Sequence, residues 1–76
     1  MMDDIVFNLY FQDSRGNERL VKADLRENEV GSAIIEYVHA LNPNYKIYYT
    51  RNWMTDTGDT IYDVGSYTEF FILRKE

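Results

Sequence analysis

The chain has 76 residues, 13 acidic against 8 basic side chains, a net charge of −5, no cysteine and twelve aromatic rings (seven Tyr, four Phe, one Trp). A chain this short forms one domain, spanning residues 1–76, that buries only about 60% of its unfolded surface, and with no disulfide to staple it, it relies on packing or a partner. The acidity argues against direct binding of nucleic acid, because phosphate contacts supply most of that affinity.

No apolar run approaches the roughly 20 residues of a membrane span, and no basic stretch leads into an apolar one near the start. Absence of cysteine fits a reducing compartment. The expectation is a soluble, cytoplasmic protein.

In chain order, Ile5, Phe7, Leu9 and Phe11 alternate with Val6, Asn8, Tyr10 and Gln12, which predicts a strand with its odd positions inward. Asp13–Asn17 reads as a turn, with Gly16 or Asn17 free to take positive φ. The chain returns through Glu18–Leu25, with Val21, Ala23 and Leu25 facing the core, so the two runs form a hairpin.

Asn28–Pro43 is the segment with helical periodicity: Val30, Ile34, Tyr37, Val38 and Leu41 make one apolar stripe. Asn28 is placed to cap it, Glu27 and Glu29 suit its positive end, and Asn42-Pro43 stops it. A strand is expected over Tyr45–Arg51, extending towards Met54, then a turn at Thr55–Asp59 and a short strand over Thr60–Val64. Gly65-Ser66 is a kink, and Tyr67–Arg74 a final strand. Its contiguous Phe70, Phe71, Ile72 and Leu73 fit a central strand, or an edge strand with one apolar row at an interface. The fold class is α+β: an antiparallel sheet of four to five strands with one helix on one face, ββαβββ.

No catalytic constellation is visible. His39 lies beside the helical stripe and reads as a half-exposed helix residue, since Ser14, Ser32 and Ser66 sit in no recognisable nucleophile motif. Asp56, Asp59 and Asp63 lack the spacing of a calcium loop, and Asp56 and Asp59 read as hairpin-turn residues flanking Gly58. Neither a metal nor another cofactor is expected, and an enzyme is not expected.

What remains is surface. Acid is concentrated near the start, around the helix (Glu27, Glu29, Glu36) and in the segment carrying Asp56, Asp59, Asp63 and Glu69, which has no base. A domain this small cannot hide twelve rings, so Trp53, Tyr48, Tyr62 and Tyr67 are candidate interface anchors. Acid with spare aromatics is what a surface for a basic protein requires; ordinary solvated and sheet positions are the plainer account.

The segment Asp63-Val64-Gly65-Ser66-Tyr67-Thr68-Glu69-Phe70-Phe71 resembles the C-terminal stretch of small proteins from phages and prophages of Gram-positive bacteria. Length, acidity and lack of cysteine are similar to those of early host-takeover proteins of lytic phages. That resemblance implies a non-enzymatic inhibitor acting in the host cytoplasm. Its acidic, DNA-mimic-like surface would compete with DNA for a basic host DNA-binding protein, a nucleoid protein of the HU type being a candidate. Same-face residues on a strand lie about 6.6 Å apart, close to two steps of roughly 3.4 Å along one DNA strand. The alternative is a small self-associating structural or accessory module, a homodimer without DNA mimicry.

Overall fold

The computed structural model describes residues 5–47, 50–65 and 68–76. Five strands form one antiparallel sheet: β1 (Phe7–Gln12), β2 (Glu18–Leu25), β3 (Arg51–Met54), β4 (Thr60–Asp63) and β5 (Phe70–Lys75), in the order β2-β1-β5-β4-β3. One helix, α1 (Val30–Leu41), joins the edge strands β2 and β3 and covers one face. This is the expected α+β architecture, with β5 at the centre.

The two hairpin turns share one chemistry. Asp13 and Thr55 each begin a five-residue turn whose fourth residue, Gly16 or Gly58, has positive φ (86° and 88°). The first side chain then accepts the fifth residue's N–H: Asn17 to Asp13 Oδ1 at 3.0 Å, Asp59 to Thr55 Oγ1 at 3.2 Å. Short polar side chains that hydrogen-bond their own backbone, with glycine at the left-handed position, account for both turns.

The pleat separates two faces. Phe7, Leu9 and Phe11 of β1 lie level with Lys75, Leu73 and Phe71 of β5 beneath the helix. There they join Leu25, Val30, Ala33, Ile34 and Val64 in the core. Leu9, Val30 and Phe71 are essentially inaccessible, and burying side chains of this kind contributes about 1.5–3 kcal/mol each. Phe11, Tyr37 and Phe71 pack ring against ring at 5.2–5.8 Å, extending that core under the end of the helix.

Several expectations are corrected in detail. Asn28 does not cap the helix, because residues 27–29 form a separate 3-10 turn and α1 starts at Val30. Ala33 replaces Leu41 in the buried stripe; Leu41 is 64% exposed at the end of the last helical turn. Ala23 is exposed because the β1–β2 register shifts twice and Asp24 takes φ 58°, turning the alternation over. Ile5 precedes β1 and is exposed. Residues 45–47 are not strand: Tyr45 donates its hydroxyl to the Val64 carbonyl at 2.8 Å instead.

Candidate interaction surface

The acidic residues divide by what holds them. Asp59 ends the second turn, where the β4–β5 register sets it beside Arg74. The guanidinium grips it with Nε at 3.1 and 3.2 Å and Nη2 at 2.9 Å, and extends Nη1 to Glu18 at 3.3 Å. It also lies 5.1 Å from the centre of the Tyr10 ring. Charge-assisted bidentate pairing of this kind fixes geometry as well as charge, and the hydrogen bond to Asp59 raises the Arg74 pKa further.

Asp63 is 6% exposed. Its Oδ1 accepts the Gly65 N–H and its Oδ2 the Arg51 Nη2, both at 2.9 Å. The Gly65 bond first, and Arg51 second, hold this carboxyl below the usual carboxylate range. Two carboxylates of the acidic segment are thus committed internally. Asp56 stands exposed at the turn, and Glu69 is half-buried.

The helix layer presents its acid outwards. Glu27 is exposed on the 3-10 turn and, second to burial, raises the phenol pKa of half-buried Tyr62. Glu29 Oε1 accepts the Arg26 N–H at 2.8 Å, and its remaining surface faces solvent. Glu36 is exposed in mid-helix. Glu29, at the end of the 3-10 turn, and Glu36, on α1, both lie off the apolar stripe, seven residues apart in the sequence.

Of the expected aromatic anchors, Trp53 is 45% exposed on the helix-free face, its ring edge-on to Phe70 at 6.2 Å. Tyr62 packs against the core under the helix layer instead. Tyr48 and Tyr67 lie outside the described residues.

A feature that sequence reasoning missed lies on that helix-free face. The registers set Leu20, Tyr10, Ile72, Ile61 and Trp53 side by side, one from each strand in spatial order. Four strand spacings make this apolar row about 19 Å long. Ile72, at its centre, is only 3% exposed although the helix lies on the other face, whereas the ends, Leu20 and Trp53, are 52% and 45% exposed. The middle of the row is closed to solvent, so the last strand's second apolar row is not the open interface an edge strand would offer. Only strand order could have revealed this row.

On the opposite side, a groove of about 470 Å³ runs beside the end of the helix, lined by Phe11, Tyr37, Val38, Phe71 and Glu69 among others. His39 contributes no acid–base pair among the described residues; its Nε2 lies 3.2 Å from the Tyr45 carbonyl, tying the helix to the chain that follows. Among the described residues no three His, Asp or Glu side chains come together as a metal site, and no helix is long and apolar enough to cross a membrane. No protein-family model, curated protein or solved structure matches the chain.

Proposed function

We propose that this chain is a non-enzymatic, phage-type inhibitor that binds a basic DNA-binding protein of the host cytoplasm and competes with DNA for it. One observation carries the reading: Glu27, Glu29 and Glu36 are all exposed on the helix layer, while Asp59 and Asp63 are taken up by arginines. Contact through the helix layer is therefore favoured over contact through the Asp56–Glu69 segment. A nucleoid protein of the HU type is the partner of choice for a test.

The test is displacement of DNA from a purified HU-type protein at several salt concentrations. Glu27→Lys with Glu36→Lys changes the charge of the exposed helix layer by +4 and leaves the core alone. Displacement by this variant falls on the order of tenfold or more, mainly through slower association, and the effect shrinks between about 50 and 200 mM salt. Asp56→Lys serves as the control and has a smaller effect. No displacement by the unaltered chain, or full displacement by the folded double variant, overturns the reading.

A further inference from the structure

The two edges of the sheet are guarded unequally. The β2 edge carries Glu18, Arg19, Lys22 and Asp24 and two register irregularities. Asp24 is in the left-handed region, with its N–H taken by a Glu76 carboxylate oxygen at 2.9 Å. Charge and irregularity of this sort prevent another strand from pairing. The β3 edge has neither. Its one charged residue, Arg51, is neutralised by Asp63 at 2.9 Å, its pairing with β4 is regular, and it displays Trp53 and Met54, 45% and 71% exposed. Among the described residues no strand pairs with its outer side.

We propose that β3 pairs antiparallel with β3 of a second copy, about a two-fold axis at Trp53, joining two sheets into one of ten strands. A symmetric antiparallel pair must keep each face continuous, so the axis passes beside a residue rather than between two. Centred on Trp53, the pairing opposes Trp53 to the partner's Trp53, Asn52 to the partner's Met54 and Arg51 to the partner's Thr55. No like charges stand opposite one another, and a cross-strand aromatic pair forms at the axis.

A second copy suits this edge better than an unrelated strand, because Trp53 ends the apolar row that crosses all five strands. The dyad continues that row from Trp53 into the partner's Trp53 and on across its sheet. Four residues of edge give a small interface, so the dimer is weak, in the micromolar range. The helix-layer carboxylates take no part, so this inference and the proposed inhibitor function stand or fall separately.

Sedimentation equilibrium from about 1 to 200 μM tests the proposal. The unaltered chain shows a reversible monomer–dimer equilibrium. Trp53→Lys, which sets two like charges opposite each other, weakens it at least tenfold with unchanged circular dichroism, whereas Leu20→Lys at the other end of the row leaves it intact. Because the chain has no cysteine, Trp53→Cys gives a second readout that survives loss of affinity. Paired residues at 4.5–5.5 Å between Cα atoms lie within disulfide range, so oxidation yields a covalent dimer, while Ala23→Cys on the guarded edge does not. A chain that stays monomeric, a dimer lost in Leu20→Lys but not in Trp53→Lys, or a Trp53→Cys variant that forms no disulfide-linked dimer overturns it.

Discussion

Ile72 offers the sharpest test of how this sheet is held together. It lies on the face the helix does not cover, yet it is as inaccessible as the residues under the helix. If Tyr10, Ile61 and their neighbours form a true second core, Ile72→Ala removes three buried carbons at about 0.8 kcal/mol each and leaves a cavity, for a loss of about 2–4 kcal/mol. For a domain of this size each kcal/mol lowers Tm by roughly 4–8 °C, which predicts a fall of at least about 8 °C. Leu20→Ala, in the same row but half exposed, loses under about 1 kcal/mol. Thermal unfolding by circular dichroism at one fixed protein concentration compares the two. Equal shifts for both variants would refute the second core and make Ile72 an ordinary surface residue.

Two further outcomes follow from local geometry. The depressed pKa of Asp63 contributes stability that is present above the ordinary carboxylate pKa of about 4 and is lost as pH falls through the still lower folded value. Asp63→Asn therefore flattens the decline of Tm below about pH 4, and an unchanged acid limb would contradict the role assigned to Gly65 and Arg51. Gly65 has φ 99°, and a Cβ there would sit 3.1 Å from the Tyr45 hydroxyl. Gly65→Ala therefore costs about 1–2 kcal/mol in backbone strain alone, read as a shift of the urea midpoint; a variant as stable as the parent would show that this bend relaxes freely.

The helix was legible in the sequence because its 3.6-residue stripe is decided locally, and so were both hairpin turns. Ala23 was misread because the register shift that exposes it depends on pairing between strands. Tyr45 was misread for a related reason: its β propensity yields to a hydrogen bond nineteen residues away. The acidic segment looked uniform in sequence, yet Asp59 and Asp63 are separated from Asp56 by arginines that reach them across the sheet from 15 and 12 residues away. Short-range patterns reveal elements; the fate of a charge depends on which elements become neighbours.

The pairing of β1 with β5 has a kinetic consequence. Phe7 lies level with Lys75 and Gln12 with Phe70, so the central seam joins the two most distant parts of the described chain. On one side of the seam stands a lone hairpin with the helix, on the other a three-stranded meander without one. A lone hairpin is marginal in water, and a meander of short strands deprived of the helix cannot bury its apolar side. Closing the loop between the strands, nearly sixty residues long, costs about 3–4 kcal/mol of chain entropy before any contact repays it. The seam is thus the slow step of folding. Until it closes, β1 and β5 each expose an unpaired apolar edge, and this is the interval in which the chain is most prone to aggregate.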